Sequence, residues 1–237
     1  MSPPDPRRAV SASARPNAYS TDIVLLTPRA GKLSVLVRPA PGGRARGAVL
    51  PWAVPRGADT LVASARGAAR IAAGVEPGWL EQLAAFGDGL RHPSGAAVSI
   101  AFVGVLPGGV ADSAAAKAVG GGVWAPVADS PALPARQEAM LTAAVSAIRA
   151  WLDHSPIAFK LLPIMFTLSD LQAMYELVLG RRLHKASFRR SLQAAFLVEP
   201  TDEWRSEGRG RPAQLYRYAP RKRRSSRRGV RFELLGS

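Results

Sequence analysis

From Phe166 onward the apolar positions fall twice on helical spacing and then on strand spacing. Leu168, Leu171, Tyr175 and Val178 recur at i, i+3, i+7 and i+10 and predict one amphipathic helix. Thr167 stands at its N-cap, with Asp170 three residues on in a near capping box, and Gly180 supplies the stop. A second helix over 185–195 places Phe188, Leu192 and Ala195 on an inward face. It sets Lys185, Arg189 and Gln193 on another, with Arg190 beside them. Two strands follow, within AFLVEP and AQLYRY, joined through a Gly/Arg tip at 207–211. Helix, helix and basic β-hairpin in that order predict a winged helix-turn-helix.

Upstream the pattern is strand-like. STDIVLLT and LSVLVRPAP alternate as two strands joined through the turn Arg29-Ala-Gly-Lys32. A helix over 59–73 carries a small-residue face of Leu61, Ala65, Ala68, Ala69 and Ala72, suited to close packing on a sheet. WLEQLAAFGDG holds a short strand and GAAVSIAFVGVLPGG a continuous apolar one, the signature of burial on both faces. The Gly-rich AVGGGVWAPV contains a turn and a further strand. A long helix over 135–152 then shows a wide stripe of Met140 or Leu141, Ala144, Val145, Ile148, Trp151 and Leu152. It fits packing within the chain or across a dimer, with the former favoured.

The expected organisation is α+β: a leader over 1–18, a mixed sheet/helix sandwich over 19–134, a connecting helix over 135–154, a winged helix-turn-helix over 155–220 and a basic tail over 221–237. The leader, MSPPDPRRAVSASARPNAYS and its surroundings, lacks the apolar core of a signal peptide and reads as disordered. The most apolar run, 98–106, is too short to span a bilayer as a helix, so the expectation is a cytoplasmic protein without a membrane partner.

Charge sharpens the DNA reading. The 237 residues carry a formal charge of +15, of which +10 lies from Ser155 onward. Lys185, Ser187, Arg189 and Arg190 are the candidates for major-groove contacts, because the Lys/Arg/Gln front of the helix reaches phosphates and base edges together. Thr167 is placed at a helix N-terminus facing a phosphate. Arg209 and Arg211 sit at the wing, where glycines permit close approach of the backbone. The tail, RKRRSSRRGVR with Lys222, Arg223 and Arg224, is suited to sequence-independent phosphate contacts.

Other chemistry finds little support. With 0 Cys, disulfides, thiolate metal sites and a Cys nucleophile are excluded. His92, His154 and His184 follow no metal spacing and read as polar surface residues. There is no G-x-S-x-G elbow, P-loop or G-x-G-x-x-G after a strand, and no cofactor is expected.

Taken together, LPWAV, ASARGAARIAAGVEPGWLEQLAAFGDGLRHP and VSIAFVGVLP resemble a Nudix domain. FTL-x-x-LQ, YE-x-x-LG, FRR and GRPA-x-LYR resemble the winged helix-turn-helix of Nudix-related transcriptional regulators of the NrtR type. The likeness runs from about Tyr19 to Pro220. It implies a homodimeric DNA-binding regulator, usually a repressor, whose Nudix-like domain senses a nucleotide-type metabolite such as ADP-ribose and whose operators belong to NAD-cofactor or sugar-pathway genes.

The chain departs from a Nudix hydrolase in its carboxylates. A working box, G-x5-E-x7-R-E-U-x-E-E-x-G-U (U bulky aliphatic), spaces glutamates along one helix face to hold the divalent ions that activate water. Aligned through Gly74-Val75, its first Gly falls on Ala53, its first Glu on Asp59, its R-E pair on Gly67-Ala68 and its E-E pair on Ile71-Ala72. Leading from Gly57 instead recovers only Glu76. The expectation is therefore a catalytically inactive domain. It either takes an anion without metal, through Arg38, Arg56, Arg66 and Arg70 with Trp52 as a stacking partner, or serves as a dimer scaffold. Trp52 also reads as a core residue. The competing readings are a hydrolase of nucleoside-diphosphate compounds and a non-specific nucleic-acid-binding protein.

Overall fold

The computed structural model describes residues 18–41, 47–87, 89–115, 121–206 and 211–219. The N-terminal half is built on β1 (Tyr19–Arg29), which is buried along most of its length. Successive side chains on a strand point to opposite faces, so β1 serves two cores at once. Ile23 and Leu25 face one core, and Val24 and Leu26 face the other.

β2 (Lys32–Pro39) returns antiparallel beside β1, with Leu26 opposite Val35 and Arg29 opposite Lys32. The two-residue turn between them puts Ala30 at φ 46° and Gly31 at φ 72°, the paired positive values that match the twist of a tight hairpin. Two short strands, β3 (Ala48–Val49) and β4 (Trp52–Ala53), pair with β2 and β1 respectively. After α1 (Leu61–Ala73) come β5 (Trp79–Phe86) and β6 (Val98–Val105), which pair antiparallel. β6 lies parallel to β1 from Tyr19–Val98 to Leu26–Val105. α2 (Gly108–Ala115) follows, and β7 (Val123–Pro126) closes the sheet against β2. The main path is β3-β2-β1-β6-β5, which leaves β5 at an edge.

The Ala-rich face of α1 does what its composition predicts. Ala65, Ala69 and Ala72 are fully buried against Ile23, Leu25, Leu36 and Phe102. Gly122 shows how closely the layers approach: a Cβ there would stand 2.4 Å from the Ala72 carbonyl oxygen. The opposite face is covered by α3 (Ala135–Trp151), which packs Met140, Leu141, Ala144 and Ile148 within the chain on Val24, Leu26, Val103 and Val105. This core continues without a break through Leu152, Ile157 and Phe159 into the C-terminal elements.

Those elements are α4 (Ile157–Lys160), β8 (Met165–Phe166), α5 (Leu168–Leu179), α6 (Lys185–Ala195), β9 (Val198–Arg205) and β10 (Ala213–Tyr218). β8, β10 and β9 form a three-stranded antiparallel sheet. Leu171, Tyr175 and Val178 of α5 meet Phe188 and Leu192 of α6 in the core, and Tyr175 and Phe188 pack edge to face with centroids 5.5 Å apart.

The apolar pattern does not disclose α2, because the LPGG stretch reads as the end of a strand. It also places His92 on the surface, which the structure corrects. His92 is 6% exposed, with Nε2 2.7 Å from Asp22 Oδ1 and Nδ1 2.6 Å from Ser94 Oγ. Among the described residues no helix is long and apolar enough to cross a membrane.

Candidate nucleic-acid interface and sensor site

The reading face of α6 is displayed as its periodicity predicts. Lys185, Arg189, Arg190 and Gln193 are exposed while Phe188 and Leu192 anchor the opposite side. Ser187 is half-buried, its Oγ 3.2 Å from His184 Nδ1. The helix has no acidic residue in its first turn, so its N-terminal dipole end is not countered from within the helix.

What aims α6 is the bracing of α5 and of the turn between them. Glu176 on α5 accepts from Leu183 N (2.9 Å), Gln172 Nε2 (3.0 Å) and Arg182 Nη1 (3.2 Å). Gln172 Nε2 also donates to the Leu183 carbonyl at 3.0 Å. Partial burial would raise the Glu176 carboxyl, but these hydrogen bonds outweigh it and hold the group below its usual range. Periodicity alone does not find Gln172 and Glu176; their i, i+4 spacing is the available signal.

α5 itself is gripped at both ends. At its N-terminus the capping box is complete: Thr167 Oγ1 accepts from Asp170 N (3.0 Å), and Thr167 N donates to Asp170 Oδ2 (2.8 Å). Arg205, from β9, donates from Nη2 to both Asp170 oxygens at 2.8 and 2.7 Å, tying the wing to the first turn of the helix. At the other end Arg149 of α3 donates from Nε to the Val178 carbonyl at 3.0 Å. A cation at the C-terminal carbonyls complements the helix dipole and joins α3 to the DNA-reading half.

Thr167 is therefore 5% exposed with its hydroxyl engaged in capping. A phosphate here would meet the backbone N–H groups of the first turn beside the capping Thr167. Thr167, Ser169 and Asp170 do share a surface cleft of about 260 Å³ with Arg205 and Arg211, so helix start and wing base converge. Arg211 is exposed there. Arg209, Lys222, Arg223 and Arg224 lie outside the described residues.

Burial pushes the Asp170 carboxyl up, yet the Arg205 and Thr167 hydrogen bonds and the Arg205 charge together hold it below its ordinary value. A carboxyl depressed in the folded state stabilises the protein above its unfolded pKa, and that contribution is lost as pH falls through the folded value. Asp170→Asn is therefore expected to flatten the acid limb of the stability curve below about pH 4. Thermal melts between acid and neutral pH check this; an unchanged limb would show that Asp170 does not contribute to it.

In the N-terminal half, the helix that would carry a metal-binding box carries none of its glutamates. Ala68 and Ala72 are buried under the sheet and Ile71 is exposed. Among the described residues no group of three or more His, Asp or Glu is placed to hold a metal ion. Asp59 Oδ2 instead accepts from Arg56 N at 3.4 Å. Arg66 and Arg70 share one counter-ion, Glu76, at 3.9 and 3.6 Å. That trio still carries net positive charge near the end of α1. Arg56 is exposed and Arg38 half-buried on β2 opposite Val49. Trp52, half-buried on β4, packs edge-on to His92 with centroids 5.5 Å apart at 77°. Half-burial leaves part of the indole exposed.

Behind Trp52 lies a polar cluster that periodicity does not reveal. Asp22 Oδ1 accepts from Gln137 Nε2 (2.9 Å) as well as contacting His92, and its Oδ2 accepts from Ser20 Oγ (2.7 Å). Gln137 Oε1 accepts from Leu50 N at 2.9 Å. Beside it Arg136, 2% exposed, donates to the carbonyls of Ala96 (3.0 Å) and Leu90. One turn of α3 thereby locks β1, the Leu50 segment and the loop before β6 together.

A helix-flanked mixed sheet joined by a long helix to a winged helix-turn-helix is a Nudix-like domain carrying a DNA-binding domain. Residues 158–218 match the family described as the NrtR DNA-binding winged helix domain. Over 86% of its length the chain superposes on NrtR of Shewanella oneidensis crystallised with a 27mer DNA, covering 94% of that chain at 26% identity with a TM-score of 0.76. It is also 29% identical over 176 residues, 71% of this chain and 70% of the relative, to the ADPR responsive transcriptional repressor NtrR of Acinetobacter baylyi. A MutT/nudix family protein of Enterococcus faecalis shares the fold, with a TM-score of 0.63 at 16% identity over 85% of this chain and 86% of that one. Residues 158–218 thus form an NrtR-type winged helix domain, and the chain as a whole is similar in fold to NrtR of Shewanella oneidensis.

Proposed function

We propose that this protein is a sequence-specific DNA-binding transcriptional repressor, acting as a homodimer, whose N-terminal domain senses ADP-ribose or a similar anionic nucleotide without hydrolysing it. The observation that carries the DNA reading is the exposed Lys185–Arg189–Gln193 line on a helix braced by α5, whose N-terminus shares a cleft with Arg211 of the wing. α6 enters the major groove; Lys185, Ser187, Arg189 and Arg190 contact bases and phosphates there, while Arg209 and Arg211 work from the wing. The ADP-ribose reading is supported by the name of the Acinetobacter relative and by the net positive Arg66–Arg70–Glu76 trio, with Arg38, Arg56 and Trp52 as further candidates.

The residues of α1 support the absence of hydrolysis. A divalent ion on pyrophosphate needs several oxygen ligands, and α1 offers alanine and isoleucine at those positions. Incubation with ADP-ribose and Mg²⁺ should release no AMP above background; Mg²⁺-dependent release would make the protein a hydrolase.

The test of the main reading is fluorescence anisotropy at physiological salt. DNA from upstream of the protein's own gene is compared with a shuffled duplex, with and without ADP-ribose. The expected preference is about 10³ or more, with release on adding ADP-ribose. Equal binding to both duplexes and to single-stranded RNA would replace this reading with non-specific nucleic-acid binding. A chain ending at Pro220 is expected to bind both duplexes more weakly and with a flatter salt dependence. A loss confined to the specific duplex would overturn the role of the tail as a non-specific arm.

A further inference from the structure

We infer that the cleft where β5 meets the end of α3 binds a small organic cation of the ammonium class. The cleft encloses about 440 Å³ and is lined by Trp79, Glu81, Trp151, His154, Ser155 and Pro156. It contains no Lys or Arg, in a chain that has 32 of them. Trp79 and Trp151 meet at 65° with centroids 5.5 Å apart, so two indoles at a steep angle wall the same space. Indole faces carry the negative side of the ring quadrupole and attract a cation that approaches them.

Glu81 supplies the full negative charge. Glu76, Asp112, Asp129, Asp170, Glu176 and Glu199 each meet a Lys or Arg side chain. Glu81 is exposed at the cleft and forms no ion pair or side-chain hydrogen bond with any described residue. A carboxylate without a counter-ion among the described residues of so basic a protein, set beside two indoles, is the arrangement an alkylammonium satisfies. It gains Coulomb attraction from one wall and cation–π attraction from the others. An anion meets repulsion, and a neutral group of the same shape gains only apolar contact. The Ser155 hydroxyl oxygen is buried with no hydrogen-bond partner among the described residues, an unspent polar group at the same place. The cleft is distinct from the arginine-bearing α1 region and lies on the segment that follows α3 into the winged domain.

The test uses the full chain with choline chloride, and KCl at equal ionic strength as the blank. The comparison ligand is 3,3-dimethylbutan-1-ol, which has the shape of choline without its charge. Calorimetry and tryptophan fluorescence should both report saturable choline binding, with the neutral analogue roughly tenfold weaker or worse. Glu81→Gln should weaken choline to a similar extent with an unchanged melting temperature, since Glu81 is exposed. No saturable choline signal, equal binding of the neutral analogue, or full binding by Glu81→Gln would each overturn the proposal.

Discussion

Replacing Arg189 by alanine is expected to cost about 1–3 kcal/mol of specific DNA affinity, on the order of 5- to 150-fold, while changing binding to a shuffled duplex far less. Arg189 stands on the exposed face of α6, one turn beyond Lys185 and one before Gln193. A guanidinium there can pair with both acceptors of a guanine edge, and alanine leaves those acceptors without the protein partner. The fold should not register the change, because the opposite face, with Phe188 and Leu192 at 0% and 1% exposure, carries the packing. The salt dependence separates base reading from charge. Neutralising a phosphate-binding side chain at Lys185 or Arg190 should lower affinity for all duplexes alike and reduce the salt slope by about one. If Arg189→Ala behaves in that second way, Arg189 binds the DNA backbone and sequence reading belongs to its neighbours.

The largest stability loss is expected from Asp22→Ala, about 3–5 kcal/mol. Asp22 is fully buried and serves three side chains at once: His92, Gln137 and Ser20. Alanine would leave their polar atoms inside the protein without a partner, and each such atom forfeits its hydration without recompense. Gln137 belongs to α3 and also receives the Leu50 N–H, so the damage should reach the packing of α3 on the sheet. Asp22→Asn keeps an acceptor oxygen and should lose less. Chemical denaturation should show a lower midpoint with an unchanged slope; a loss below about 1 kcal/mol would mean that water satisfies the cluster. Because α3 also grips α5 through Arg149, a folded Asp22→Asn protein offers a route to test whether this junction carries the proposed response to ADP-ribose.

The local devices of the DNA-binding half are legible because each is written within a few residues. The Thr167/Asp170 capping box, the Gly180 stop and the apolar seams of α5 and α6 depend on i to i+4 relations, which a linear sequence displays directly. So are the β1–β2 turn and the small-residue face of α1, since a two-residue turn and a helical stripe are also short-range patterns. The loss of the Nudix glutamates is readable for the same reason: it is a matter of which residue types are present.

What tertiary structure alone decided are relations between residues far apart in the chain. His92 reads as a surface loop residue because nothing near it in sequence marks burial; its partner Asp22 is on another strand and Gln137 on a later helix. Arg136 and Gln137 break the apolar pattern of α3 and give no sign that they are its innermost polar groups. Arg205 is one more basic residue of the wing until its pairing with Asp170 places it across the start of α5. Composition and periodicity determine which elements form and which face each one hides, because those follow from side-chain hydrophobicity at fixed backbone repeats. The partner of a buried polar group depends on which strands become neighbours, and the parallel pairing of β1 with β6, across some eighty residues of chain, is set only when the whole sheet assembles.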